Sequence, residues 1–224
     1  MSKFYLRYFG LMFLLAACSE TEEALDLGLD YQPLALGNFW EYQVEETIYF
    51  GEADIETNNF YLKDRVASDY INEVGEQVFL LVREKSSDRQ SWQPESTYTY
   101  RVSDGALIKS SQNQISVSLV FPPLEGKVWD AHIFGVNGED NYRLEMLQNY
   151  AVGGTEFTQA AKVIQHEEDD LIILRDKRYE VFAKEVGLVE SYYELLSYCS
   201  RNDCLGQQIV ESGRFTHLKL IDNG

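Results

Sequence analysis

Residues 39–50 read FWEYQVEETIYF, and their alternation decides the fold. Trp40, Tyr42, Val44, Ile48 and Phe50 fall on one side of an extended chain; Glu41, Gln43, Glu45 and Thr47 fall on the other. Successive side chains of a β-strand point to opposite faces, so a period of two predicts a strand with one face buried. Pro33 and Gly37 set a turn just before it. Trp40 carries the largest apolar surface to the inner face, with Tyr42 and Val44 as its core neighbours.

The same pattern recurs outward along the chain. NFYLKDRVASDYI (59–71) leads through NEVGE to QVFLLVREK (77–85). STYTYRV (96–102) passes SDG to ALIKSS (106–111), and HIFGV (132–136) runs into Asn137-Gly138, the strongest short hairpin signal present. NYRLEMLQNYAV (141–152) meets Gly153-Gly154, and TEFTQAAKVIQH (155–166) meets EEDD before LIILR (171–175). The stretches 179–198 and 207–221 close the series. Tyr, Phe, Val and Ile dominate between turn signals spaced every 8–15 residues or so. No sustained period of 3.6 interrupts them. The reading is all-β: about ten to twelve antiparallel strands in a meander, forming a curved open barrel or a sandwich. No linker divides residues 31–224, which read as a single ectodomain, and no fixed-period repeat is visible.

The N-terminus is of another kind. Lys3 and Arg7 precede an apolar run from Tyr8 to Ala17. That run falls short of the roughly 20 residues that span a bilayer. A basic start, a short apolar middle and small residues before a cut site form a signal peptide, residues 1–17. Leu15-Ala16-Ala17-Cys18 resembles the lipobox of bacterial lipoproteins, which implies diacylglycerol on the Cys18 thiol and a further acyl chain, of the palmitate kind, on its new amine. Stable anchoring takes at least two chains, so the resemblance implies a membrane-bound protein. Ser19 stands where aspartate retains enterobacterial lipoproteins at the inner membrane, which favours the outer membrane. Residues 18–30 then form an acidic tether. Within it, Ser19-Glu20-Thr21-Glu22-Glu23 also resembles the export signal of surface lipoproteins of Bacteroidota, so either the periplasmic or the cell-surface face is open.

The whole chain carries a formal charge of −18, and without residues 1–17 it has 17 cations against 37 acids. Such acidity argues against nucleic acid as a partner and against adsorption on anionic lipid. Cys199 and Cys204 remain besides Cys18, in the polar turn SYCSRNDCLG. An exported pair reads as a disulfide, since a Cys-x4-Cys pair alone lacks the further ligands of a zinc site.

Three segments resemble those of a broad, uncharacterised group of Bacteroidota outer-membrane lipoproteins. Tyr31-Gln32-Pro33-Leu34 with Gly37-Asn38-Phe39-Trp40-Glu41-Tyr42 is similar to the group's YxPLxxGNxWxY opening. LVFPPLEGKVWDA (119–131) is similar to its FP…G..W segment, and VFAKEVGLVESYYE (181–194) to its VGLV stretch. The order matches, and Lys184-Glu185 departs from the small residue or proline usual there. The resemblance implies address and architecture, and no catalytic residues. Physically the segments read as structural: Trp129 starts a strand, and Gly187 marks a bulge or a close backbone approach. Trp40 and Trp129 are core candidates, and each could instead line a groove.

The chemistry-bearing residues are scattered. His132, His166 and His217 form no short metal spacing, and no nucleophile elbow, P-loop or dinucleotide fingerprint occurs. Glu167-Glu168-Asp169-Asp170 is the densest acid cluster; it is not a calcium loop and reads as a hairpin tip. No catalytic residue, metal or cofactor is expected. The expected role is non-enzymatic, in binding or structure. Two rivals stand beside it. One is a carrier of lipid or another apolar ligand on a concave sheet. The other is a glycan-processing enzyme or a glycan-binding accessory, with an exposed tryptophan or tyrosine platform beside paired acids. An envelope protein partner fits the first reading.

Overall fold

The structure is a computed structural model describing residues 26–135 and 138–224. The signal peptide, Cys18, residues 19–25 of the tether and Asn137 lie outside the described residues. A short 3₁₀ turn, Leu29–Tyr31, precedes twelve strands. These are β1 (Phe39–Gly51), β2 (Asp54–Ile71), β3 (Gln77–Ser86), β4 (Gln93–Ser103), β5 (Ala106–Ser111) and β6 (Gln114–Val120). The second half comprises β7 (Val128–Asp130), β8 (Asn141–Val152), β9 (Thr155–Asp169), β10 (Leu174–Ala183), β11 (Gly187–Tyr198) and β12 (Val210–Asn223).

All twelve join one sheet in the order β6-β5-β4-β3-β2-β1-β12-β11-β10-β9-β8-β7, and every pairing is antiparallel. Only β1–β12 joins strands distant in sequence; every other neighbour is a hairpin partner. The fold is therefore an up-and-down meander that curls into a nearly closed barrel, resolving the choice between barrel and sandwich. Its seam lies between β6 and β7, themselves consecutive. There the Val117 N–H donates to the Ala131 carbonyl at 2.8 Å, and the Trp129 indole N–H donates to the Val117 carbonyl at 3.0 Å.

Chain direction gives the barrel two unlike ends. One collects residues 28–38, the β10–β11 turn, the start of β1 and the end of β12. At this end Trp40, in phase with Tyr42 and Val44, is buried to 2% exposure. Its indole N–H donates to the Val186 carbonyl at 2.6 Å. The Tyr42 hydroxyl donates to the Leu188 carbonyl at 3.1 Å, and the Leu188 N–H to Gln32 Oε1 at 3.1 Å. Gly187 has φ of 105°, and a Cβ there would stand 2.9 Å from the Trp40 indole nitrogen. Only glycine permits that approach without strain. Pro123, from the middle motif, packs against Gly28. The three motif segments of the sequence thus meet in space and plug this end.

The other end carries the hairpin tips 51–54, 111–114 and 169–174. Strand β1 overruns the barrel here, which leaves Phe50 61% exposed although it shares phase with Trp40. One expected strand does not form: Ala131–Gly135 is turn. Ile133 and Phe134 there are exposed, and Asp130 Oδ1 accepts the His132 and Asp140 N–H groups at 2.9 and 3.0 Å, fixing a loop instead.

Candidate binding site in the barrel mouth

On four strands, β3, β5, β10 and β12, the inner face changes character part-way along. On β3 the inward side runs Leu81, then Arg83. On β5 it runs Leu107 and then Lys109, and on β12 Leu218, Thr216 and Arg214. β10 runs from Phe182 to Glu180. The pairings Leu81–Tyr98, Tyr100–Lys109, Glu180–Ser191 and Ser191–Leu218 keep these residues in one phase around the barrel. The plugged half is therefore apolar, and the half toward the hairpin tips is lined with charge.

A cavity of about 260 Å³ occupies the charged half. Leu188 and Leu218 form its apolar floor. Arg83, Lys109, Glu180, Ser191, Tyr193, Thr216 and Arg214 make its walls. At roughly 30 Å³ per water it has room for about nine. Arg214, whose side chain is 54% exposed, stands at the opening.

Two of these four charges are paired with carboxylates behind the lining. Arg83 makes a two-pronged pair with Asp64, at 2.7 and 2.6 Å, and Tyr98 donates to the same carboxylate at 2.8 Å. Asp64 is 1% exposed, and such a buried carboxylate requires this degree of bonding. Arg214 lies 3.5 Å from Glu46. Lys109 and Glu180 differ. Neither has a side-chain hydrogen-bond or ion-pair partner among the described residues. The Lys109 ammonium sits over the rings of Tyr98 and Tyr100, 4.8 and 5.9 Å from their centroids, a favourable cation–π arrangement. Burial pulls its pKa below the ordinary lysine value, and Glu180 opposes that fall.

The residues singled out from sequence lie elsewhere. Trp129 is half-buried at the seam, edge-on to Tyr142 at 6.1 Å. Cys199 and Cys204 form a disulfide with Cα atoms 5.8 Å apart. His132 bonds to the Gly138 carbonyl, His166 to Glu168 and His217 to Glu190. In the acid cluster, Asp169 pairs with Arg175 at 2.7 Å. Asp170 caps the β9–β10 turn by accepting three N–H groups. No grouping of three or more metal-ligating side chains occurs among the described residues. On the outer face, Tyr179 and Tyr192 stack at 5.1 Å with planes 2° apart, and Tyr192 meets Phe215 and His217 edge-on. Ring faces turned to one another form a packed ladder rather than a flat platform.

Sequence reasoning passed over Arg83, Lys109 and Glu180. Their signal was present: each stands in phase with an apolar residue two positions away, where a half-buried strand should keep an apolar side chain.

No family model matches the chain, and no curated protein does either. Two solved structures resemble it. One is a protein described as exported, with a YmcC-like fold, from Bacteroides fragilis. It is 12% identical, with 86% of this chain and 98% of that one aligned at a TM-score of 0.40. The other is described as a lipoprotein, from Parabacteroides distasonis. It is 8% identical, with 87% and 98% aligned at a TM-score of 0.38.

Proposed function

We propose that the protein is a lipid-anchored, non-enzymatic binding protein of the cell envelope, held at the outer membrane through Cys18, whose barrel mouth receives a small polar ligand. The observation that carries this reading is the cavity itself. It is lined by charged side chains, floored by leucines, and set at the end of the barrel opposite the one at which the chain enters. A pocket with an apolar base and a few converging polar groups is the usual form of a small-molecule site.

The apolar-carrier reading is less well supported, because Trp40, Tyr42, Phe182 and their neighbours fill the apolar half. The glycan reading is weakened by the mutual stacking of Tyr179 and Tyr192.

The anchoring half of the proposal predicts that wild-type protein fractionates with membranes and is released only by detergent. Cys18→Ser should instead be unprocessed or soluble, as cell fractionation with mass spectrometry of the N-terminal peptide would read. Membrane retention of a normally processed Cys18→Ser protein would sink it.

A further inference from the structure

Lys109 on β5 and Glu180 on β10 stand on opposite walls of the barrel, since six strands separate β5 from β10 along the sheet. Both line the same cavity, and no ion pair joins them within 4 Å. Leaving two opposite charges half-desolvated and apart is costly. Pairing them through a third group would recover that cost. Arg83 and Arg214 do not compete for the role, being occupied by Asp64 and Glu46.

We infer that the ligand is a zwitterion of amino-acid size, its carboxylate on Lys109, its ammonium on Glu180 and an aliphatic side chain over Leu188 and Leu218. This rests on the reading of the mouth as a binding site and specifies its chemistry. A plain anion would leave Glu180 unmatched and a plain cation would leave Lys109 so. A zwitterion answers both charges at once, and a cavity of about 260 Å³ admits a residue such as leucine without the aromatic half of the barrel moving. The lowered pKa of Lys109 agrees with an ammonium that lacks a full counter-ion.

The test is titration calorimetry on the full chain in detergent, with L-leucine, leucinamide and N-acetylleucine as probes. The expected result is binding of leucine, with each derivative weaker by about tenfold or more, since each forfeits one hydrogen bond to a charged group. Lys109→Met and Glu180→Gln should each weaken leucine by a similar factor. Glu180→Gln should in addition abolish the discrimination against N-acetylleucine, a change that a merely structural role would not produce. It also serves if Lys109→Met fails to fold. Equal affinity for the three probes would overturn the inference. So would the absence of any leucine heat, the pair then being bridged by water only. Binding of N-acetylleucine in place of leucine, lost in Lys109→Met, or of leucinamide, lost in Glu180→Gln, would overturn the zwitterion while leaving the mouth a binding site.

Discussion

At the scale of single residues, Trp40 does most to define the plugged end. Its ring is buried among the motif segments, and its N–H satisfies the Val186 carbonyl beside Gly187, the position at which the chain can approach so closely. Trp40→Ala should destabilise the fold by about 3–5 kcal/mol, from lost burial and the cavity left behind. Trp40→Phe should cost less, yet it still orphans the Val186 carbonyl, worth about 1–3 kcal/mol when buried. Urea unfolding of the two variants would check both the size and the order. An unchanged midpoint in Trp40→Ala would contradict this account of the plug.

At the scale of elements, hairpins set the architecture, and the least regular of them is stapled. The loop joining β11 to β12 runs from Cys199 to Ile209, and the Cys199 N–H donates to the Ile209 carbonyl at 2.7 Å. The Cys199–Cys204 bridge closes a short loop within it. In the chain-entropy account so short a loop gives about 2 kcal/mol. The double variant Cys199→Ser, Cys204→Ser should lose that much by denaturant unfolding, with the far-ultraviolet signal of the sheet retained. The β8–β9 hairpin is held differently. Its tip glycine, Gly153, packs against the Leu220 carbonyl of β12, and Tyr150 bonds across to Glu190 of β11.

At the scale of the whole molecule, an acidic chain keeps two of its carboxylates almost wholly buried on the outer face of the sheet. Glu190 is 4% exposed. Burial would raise its pKa, but bonds from His217, Tyr150 and Tyr179 outweigh it and hold the carboxyl below its ordinary range. Glu41 behaves alike: burial raises its pKa, and Lys63 and Arg89 pull it lower still. A carboxyl depressed in the folded state stabilises the fold above its unfolded value, about 4.3 for glutamate. That contribution fades as pH falls through the lower, folded value. The melting temperature should therefore hold near neutrality and decline below about pH 4. Glu190→Gln should flatten part of that decline while lowering stability at pH 7. A wild-type melting temperature indifferent to pH between neutrality and 3 would refute it.

The alternation in FWEYQVEETIYF and its echoes determined the all-β meander, because side-chain phase along a strand is local and needs no partner to be read. The disulfide turn and the hairpin tip at Asp170 were legible for the same reason: their bonds run between near neighbours in the chain. HIFGV misled, since a five-residue apolar run carries too little pattern to distinguish a strand from a loop pinned by Asp130. Barrel closure, the meeting of three motifs at the plug and the standing of Lys109 opposite Glu180 were decided by the tertiary structure alone. Each depends on how far the sheet curls, which is the sum of small twists and bulges over twelve strands. A charge in the inward phase looks like an interruption in one strand. Only curling the sheet gathers such interruptions from β3, β5, β10 and β12 into a single mouth.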